Sequence, residues 1–259
     1  MKQQIITLTT DFGTKDGYIG AVKGVIKRIN PEAEIVDITH DIEPFDILGA
    51  AFTLNNFYRY FPQNTIHLVV VDPGVGSKRQ PILIQTEDFF FVGPDNGVFT
   101  FVLQSDRITE IINLSNDQYF LSQLSGTFHA RDVFAPVAAY LSLGVDIKEF
   151  GTPASECFKL VIPQPQSSKK GIVGEIIHID NFGNLITNID ADSIRTKRLI
   201  IEVRKKKINR ISQSYFDIPK KKVGVVIGSS GFLEIAMNQG NVSKILKANI
   251  GTPVKISLK

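Results

Sequence analysis

The sequence predicts two domains of different class: an N-terminal layered α/β domain with a mostly parallel sheet over residues 1–160, and a C-terminal all-β, barrel-like domain over residues 171–259. Three observations carry this. Before residue 160, β-branched apolar runs alternate with segments of helical periodicity, the pattern of strands laid side by side with helices on their faces. Residues 161–170 read Val-Ile-Pro-Gln-Pro-Gln-Ser-Ser-Lys-Lys, with two prolines and no apolar run after Ile162, which marks an extended linker. Beyond it, short strands separated by turn residues take over.

The first strand is Ile-Ile-Thr-Leu-Thr-Thr at 5–10, ending on Asp11. Residues 20–29 form a helix, with Val22, Val25, Ile26 and Ile29 on one face and Pro31 just beyond. Residues 35–39 are the next strand. Residues 47–61 carry Leu48, Ala51, Phe52, Asn55 and Tyr58 near one helical face, closed by Pro62. The run at 65–71 is almost wholly apolar, which suits a sheet covered on both faces. Segments 81–85 and 88–92 follow, then a turn at 93–97 before 98–103, and a helix at 132–143. After the linker, strands are expected at 171–180, 199–203, 222–227, 233–236 and 253–258.

Hydrophobic residues make up 43% and charged residues 21% of the 259, with 20 Gly and 12 Pro, so a disordered or collagen-like chain is excluded. The single Cys157 forms no internal disulfide, and with four His it argues against a structural zinc site. The run after Gln4 is too short and polar for a signal segment. No stretch approaches the ~18–20 apolar residues of a membrane helix. A soluble, cytoplasmic protein without a membrane partner is expected.

The net charge of +3 conceals a split. Residues 1–150 hold 11 Lys and Arg against 18 Asp and Glu, net −7; residues 151–259 hold 18 against 8, net +10. Such asymmetry suggests two domains with different tasks. The basic triplets Lys205-Lys206-Lys207 and Lys220-Lys221-Lys222 read as solvated strand ends or hairpin tips rather than a nucleic-acid surface.

In open α/β sheets ligands gather at the carboxyl ends of strands. Two strands end on an aspartate with a glycine-bearing loop, Thr9-Thr10-Asp11-Phe12-Gly13 and Val70-Val71-Asp72-Pro73-Gly74-Val75-Gly76. A carboxylate there can grip a ribose diol or close an Asx turn; two in one domain favour a site. Gly74-Val75-Gly76 lacks the third glycine of a dinucleotide loop, and Gly76-Ser77-Lys78-Arg79 lacks the P-loop frame. Phe128-His129-Ala130-Arg131-Asp132 stands before a helix, with Asp132 a candidate N-cap. Asp72, Arg79 and His129 are able to meet at one water, although spacing alone does not bring them together. No GxSxG supplies a serine nucleophile. A metal hydrolase built on Asp72, Asp95, His129 and Asp132 is an alternative, without HExxH or clustered His to support it.

In the C-terminal half, turn chemistry explains Asn181 and Gly183 but not Asn184, Thr187 and Asn188, which follow at once. Gly228-Ser229-Ser230-Gly231-Phe232-Leu233-Glu234 offers backbone N–H groups and hydroxyls suited to a carboxylate. Asn238-Gln239-Gly240-Asn241 is a further polar turn. By themselves these residues point to a nucleoside-like or amino-acid-like small molecule.

Taken in order, six motifs resemble one family. They are Thr10-Asp11-Phe12-Gly13 with Asp16; Asp72-Pro73-Gly74-Val75-Gly76-Ser77 with Arg79; Gly93-Pro94-Asp95-Asn96-Gly97; Phe128-His129-Ala130-Arg131-Asp132; Asp180-Asn181-Phe182-Gly183-Asn184 with Thr187-Asn188; and Gly231-Phe232-Leu233-Glu234-Ile235-Ala236. This series is similar to the S-adenosyl-L-methionine (SAM) hydrolases, or SAM hydroxide adenosyltransferases, relatives of the SAM-dependent fluorinase and chlorinase. The resemblance implies an α/β domain followed by a β-barrel, and homotrimers with the site where neighbouring subunits meet. It implies hydrolysis of SAM to adenosine and L-methionine by displacement at the ribose 5′ carbon. SAM is then the substrate, and no cofactor or metal is expected, because a neutral thioether leaves a sulfonium unaided.

By the same resemblance Asp72, Arg79 and His129 handle the water, and Asp11 grips the ribose diol. Asp16 and Asp180 lie near the methionine amine, and Asn184 reads the adenine edge. Ser229 and Ser230 hold the methionine carboxylate, with Glu234 in the same substrate-binding segment. Tyr18 sits where the fluorinase has a small hydroxyl residue, Ser230 where halogenases commonly have arginine, and Ala130 where a glycine is common. No room exists between residues 61 and 65 for the inserted loop of the fluorinase. That and the water-handling set favour a hydrolase over a halogenase; a SAM-binding protein without turnover is the other alternative.

Overall fold

The computed structural model describes residues 4–194 and 199–258, and the chain divides into two compact units, Met1–Leu160 and Val161–Lys259. In the first unit the elements run β1 (Ile5–Thr10), α1 (Tyr18–Ile29), β2 (Glu34–Thr39), α2 (Ile47–Phe57), β3 (Ile66–Val70), β4 (Pro81–Thr86), β5 (Phe90–Pro94), α3 (Val102–Ser105), β6 (Ile108–Leu114), α4 (Ala135–Ser142) and β7 (Gly151–Pro153). The seven strands form one sheet in the order β2-β1-β3-β5-β4-β6-β7. β1 pairs parallel with β2 and β3, and β3 with β5, whereas β4 is antiparallel to β5 and β6, and β7 to β6. Five of the seven strands therefore run one way, the mostly parallel sheet expected.

The apolar run in β3 has the reason expected of it. Ile66, Leu68 and Val70 face one cluster with Val22 and Ile26 of α1 and Val137 and Leu141 of α4. Val69 and Val71 face the opposite cluster with Ala50 and Leu54 of α2 and with Phe91 and Phe99. With period-2 side chains, a strand covered on both faces is apolar at nearly every position, His67 being the exception in β3.

Local rules account for most boundaries. α1 stops before Pro31, and Lys27 Nζ in its last turn donates to the carbonyls of Pro31 and Ala33 just beyond, both at 2.8 Å. Asp46 caps α2 by accepting the Gly49 N–H at 2.8 Å. Other boundaries depart from expectation. α2 ends at Phe57 and continues as a 3₁₀ turn, Tyr58–Tyr60. The expected 98–103 strand is instead a turn at 98–101 leading into α3. The expected 132–143 helix starts earlier, as a π-helical turn, Ala130–Phe134, running into α4. β6 and β7 were not anticipated: they lie at the sheet edge, where half-exposed residues blur the apolar alternation.

The second unit holds β8 (Gln166–Ser168), β9 (Gly171–Ile179), β10 (Leu185–Asp190), β11 (Leu199–Val203), β12 (Lys206–Ile208), β13 (Val223–Ile227), β14 (Phe232–Met237), α5 (Val242–Leu246) and β15 (Pro253–Leu258). All pairings are antiparallel, in the order β12-β11-β15-β9-β10-β14-β13, with β8 added to β9. Beyond β12, Ser212 N–H donates to Val225 C=O of β13 at 2.7 Å, so the sheet curls nearly closed around Ile176, Leu185, Ile201, Val225, Ile235 and Val254. The segment read as a linker is partly committed, since β8 pairs with β9. Lys205 lies in the β11–β12 hairpin turn, Lys206 opens β12, and Lys220, Lys221 and Lys222 precede β13; all are exposed.

β10 was hidden by its polar residues, and the structure accounts for them. Thr187 Oγ1 donates to Leu233 C=O at 2.8 Å. Asn188 Nδ2 donates to Pro163 C=O at 2.6 Å, and its Oδ1 accepts the Glu175 N–H at 2.9 Å. Both are buried and fully employed within the barrel.

Candidate active site

Asp72 follows directly on the buried end of β3, at the carboxyl ends of the parallel strands. The loop it opens returns at once: Val75 N–H donates to Asp72 C=O at 3.2 Å and Ser77 N–H to Gly74 C=O at 3.0 Å. These turns bring Arg79 back to Asp72. Arg79 Nε donates to Asp72 Oδ1 at 3.0 Å and Nη2 to Oδ2. The pair is 5% and 8% exposed at the side chains, and the guanidinium lies 5.3 Å from the Phe134 ring centre. The 93–97 turn clamps both ends of the loop. Asn96 Nδ2 donates to Val71 C=O at 2.8 Å, and Asp95 N–H to Gln80 C=O at 2.9 Å.

His129 comes from the N-terminal edge of the π-helical turn, and Arg79 Nη2 lies 2.9 Å from its Nδ1. A guanidinium only donates, so Nδ1 accepts, and the proton of neutral His129 is on Nε2. Burial pushes the imidazole below its ordinary value, and the Arg79 charge adds to this, against opposing pulls from Asp72 and Asp132. His129 is thus a neutral ring whose remaining nitrogen is a donor. The three residues proposed from sequence are brought together by the fold.

Asp132 is not the N-cap expected of it. It sits inside the π turn, fully buried. Its Oδ2 accepts the Ser125 N–H at 2.7 Å, and Arg131 Nε donates to its Oδ1 at 2.6 Å. It therefore ties the 121–127 loop to the turn bearing His129. That loop also rests on the first: Gly76 has φ +76°, and a Cβ there would fall 2.4 Å from the Gly126 carbonyl oxygen. Ala130 occupies a helical position and takes no positive φ, so the glycine common there is not required.

Phe12, Tyr18, Val70, Asp72, His129 and Phe128, with the 125–127 loop, line a cavity of about 430 Å³ in the first unit. Phe12, Tyr18 and Phe128 pack edge to face, with ring centres 5.3–6.1 Å apart. Arg79 stands behind Asp72 and His129 and is not part of the wall. Asp11 is nearby in sequence; its Oδ2 accepts the Phe45 N–H at 2.9 Å. Asp16 is exposed, and neither Asp11 nor Asp16 lines the cavity. The metal alternative fails on geometry: Asp95 is bound to the Phe158 N–H at 2.7 Å and Asp132 to the 121–127 loop, and among the described residues no three metal-ligating side chains group together.

The second unit has its own cavity, about 560 Å³, lined by Asp180, Phe182, Asn184, Tyr215 and Met237 with the 238–240 turn. Asp180 closes the β9–β10 hairpin by accepting the N–H groups of Phe182 and Asn184 at 2.9 and 2.8 Å on Oδ1. Its Oδ2 accepts Asn184 Nδ2 at 2.9 Å. Ser229 and Ser230 form the tip of the β13–β14 hairpin, with Gly231 at φ +81°. Glu234 is buried and accepts the Tyr215 hydroxyl at 2.5 Å. Burial raises the Glu234 carboxyl, and Asp180 adds to this; the Tyr215 bond works against it. Ser229, Ser230 and Glu234 do not line this cavity. Tyr215, Phe182 and the Ser125–Thr127 wall were not singled out from sequence. The one available signal was the exposed pair Tyr215-Phe216 in a polar stretch.

Known proteins resemble this chain across both of its units. The chain is 40% identical over 268 residues to a (R)-S-adenosyl-L-methionine hydrolase of Methanocaldococcus jannaschii, covering 97% of this chain and 95% of that one. It is 31% identical to a protein of the same description from Salinispora tropica, covering 97% of each. A fluorinase of Actinopolyspora mzabensis is 23% identical, covering 98% of this chain and 97% of that one. A crystal structure of an uncharacterized conserved protein from Thermotoga maritima superposes with a TM-score of 0.90 at 39% identity, covering 97% of this chain and 99% of that one. The models for the SAM hydroxide adenosyltransferase N-terminal and C-terminal domains match residues 6–151 and 174–255, and the chain therefore belongs to the SAM hydroxide adenosyltransferase family.

Proposed function

We propose that this protein hydrolyses S-adenosyl-L-methionine to adenosine and L-methionine, with water attacking the ribose 5′ carbon. The observation that carries the reading is the Asp72–Arg79–His129 set, its ion pair buried and two of its members facing a cavity. The C5′–O bond forms as the C5′–S bond breaks, its electron pair passing to the sulfonium sulfur. One water proton must leave. His129 has its Nδ1 engaged by Arg79 and presents Nε2–H, so it donates to the attacking oxygen and aligns it. The carboxylate of Asp72 is then the proton acceptor. Arg79 orients the Asp72 carboxylate through two donors and holds His129 in the donor tautomer. The thioether leaves neutral, so the reaction runs without a cofactor.

For the substrate we retain Asp11 at the ribose diol, Asp16 at the methionine amine, Asn184 at the adenine, and Ser229 and Ser230 at the carboxylate. Among the described residues the Ser229 and Ser230 hydroxyls at the β13–β14 hairpin tip make no hydrogen bond, which supports the last assignment. Glu234 supports Tyr215 rather than touching substrate. The water-handling cavity and the Asn184 cavity belong to different units, and the units carry opposite net charge. Both facts support a homotrimer in which neighbouring subunits complete each site. The lone, half-buried Cys157 suits a reducing cytoplasm, and among the described residues no helix is long and apolar enough to cross a membrane.

Chromatography of purified protein incubated with SAM is the test. Equimolar adenosine and methionine are expected. Chloride-dependent 5′-chloro-5′-deoxyadenosine without adenosine would make the protein a halogenase, and tight SAM binding with no product would make it a binding protein.

A further inference from the structure

The regular pairing of β1 with β2 breaks down just before the first unit's cavity. The parallel register shifts between Leu8 and Thr9, and past that point the ladder gives way to staples between the 10–13 turn and the 40–45 loop. Gly13 N–H donates to His40 C=O at 2.7 Å, and Ile42 N–H to Thr10 C=O at 3.4 Å. Phe45 N–H donates to Asp11 Oδ2 at 2.9 Å. The turn carries the Asp11 carboxylate and the Phe12 ring, which lines the cavity and packs on Tyr18 and Phe128.

Side chains join the same two segments. Lys23 Nζ of α1 donates to Asp37 Oδ2 of β2 at 2.5 Å, and Asp37 Oδ1 lies 3.2 Å from His40 Nε2. The second contact is a close approach of charge and dipole rather than an aligned hydrogen bond. A lone pair on Nε2 would be repelled by the carboxylate, so Nε2 carries the proton. In the neutral ring Nδ1 is then the acceptor, and Thr10 Oγ1, 3.0 Å away, donates to it. With its proton committed, the Thr10 oxygen offers a lone pair to the Phe12 N–H at 3.3 Å. Each link fixes the direction of the next, from an ion pair on the sheet's edge strand to the backbone of the turn. His40 and Thr10 are buried, so little water competes for the inner links.

We propose that Asp37, His40 and Thr10 are positioning residues: their one-way chain holds the 10–13 turn in the geometry that presents Asp11 and Phe12 to substrate. This rests on the reading of SAM as substrate. None of the three lines the cavity, so their effect passes through the turn. Loosening the turn weakens the hold on substrate and leaves the Asp72–Arg79–His129 set in place. It therefore raises KM more than it lowers kcat.

The test reads the His40 ring-nitrogen resonances at pH 8, hydrogen exchange at the Phe12 amide, and KM and kcat for SAM, all on the full-length protein. The wild type should show the His40 proton on Nε2. Thr10→Val removes the hydroxyl at nearly constant shape; it should speed Phe12 exchange and raise KM, each about tenfold, with kcat within about threefold. Thr10→Ser keeps the hydroxyl and should stay within about threefold of the wild type throughout. Should Thr10→Val fail to fold, Asp37→Asn changes only the half-exposed end of the chain. It should shift the His40 resonances toward a mixture of tautomers and raise KM about threefold or more, with an unmoved unfolding midpoint. A wild-type His40 proton on Nδ1, Thr10→Val at the wild-type KM, or Thr10→Ser no better than Thr10→Val overturns the proposal. Should the protein release no adenosine from SAM, the hydrolase reading falls and calorimetric SAM binding replaces KM. About tenfold weaker binding in Thr10→Val then supports the chain, and unchanged binding overturns it.

Discussion

Replacing Arg79 by methionine keeps the length of the side chain and removes the one group that touches both Asp72 and His129. Asp72, 5% exposed, loses both of its guanidinium donors. Stripping a buried carboxylate of its partner typically costs about 3–5 kcal/mol, so Arg79→Met should lower unfolding stability by about that much. The effect on His129 has a definite sign. Burial remains, but the second cause of its lowered basicity disappears while the pulls of Asp72 and Asp132 persist. The imidazole therefore becomes more basic, and on protonation its Nδ1–H turns to Asp72. In the wild type burial and the Arg79 charge lower His129, so any acid limb it sets should fall below the ordinary imidazole range. In the variant an acid limb should move into that range, and kcat/KM at pH 8 should fall by about 10²–10⁴ with the loss of aligned proton handling. Adenosine release from pH 5.5 to 9, urea unfolding and the His129 proton resonance read out the three effects. Arg79→Lys keeps the charge without the fork; it should recover part of the stability and little of the rate. An Arg79→Met enzyme within threefold of wild type, with an unmoved pH profile, would refute the role assigned to the guanidinium.

Two further substitutions test the scaffold. His67 is buried among Phe57, Tyr58, Phe61, Phe89 and Phe91, with Thr7 Oγ1 at 2.8 Å from Nδ1, and burial lowers it from 6.5 to about 3. Below pH 6.5 the unfolded chain takes up a proton that the folded chain refuses, so stability present above pH 6.5 is lost on acidification toward pH 3. The slope is about 1.4 kcal/mol per pH unit, or about 3 kcal/mol at pH 4.5. Urea midpoints at pH 7.5 and 4.5 should show His67→Phe gaining about that much on the wild type; parallel losses would show His67 titrating normally. Asp132→Ala removes the anchor of the 121–127 loop. Stability should fall by about 1–3 kcal/mol, and KM for SAM should rise about tenfold with a smaller change in kcat. A lower melting temperature with unchanged KM would mean that this loop does not bound the substrate.

The expected fold class and the strand–helix order of the first unit needed only local information. β3 was legible because a strand buried on both faces is apolar at nearly every position, and α1 because its apolar residues recur at helical spacing before Pro31. Strands β6 and β10 were not. β6 is half-exposed near a sheet edge, and β10 buries Thr187 and Asn188, whose hydrogen-bond partners, Leu233, Pro163 and Glu175, are 13 to 46 residues away in sequence. The water-handling residues were legible as a motif set, yet Tyr215 was not, because an exposed ring carries no periodicity.

By itself the sequence determined which residue types were available: an aspartate at the end of a strand, an arginine seven positions on, and a histidine fifty further. It also determined the two-unit plan, since hydrophobic period and turn composition are local properties of the chain. Only the tertiary structure decided what each polar atom does. The direction of the His129 proton follows from Arg79 Nη2 standing 2.9 Å from Nδ1. The direction of the Asn184 amide follows from Asp180 having nothing to donate. Asp132, readable as a helix cap, became a loop anchor for the same reason. A side chain's chemistry is written in its residue type, but whether it donates, accepts or is silenced depends on the neighbour that folding places against it.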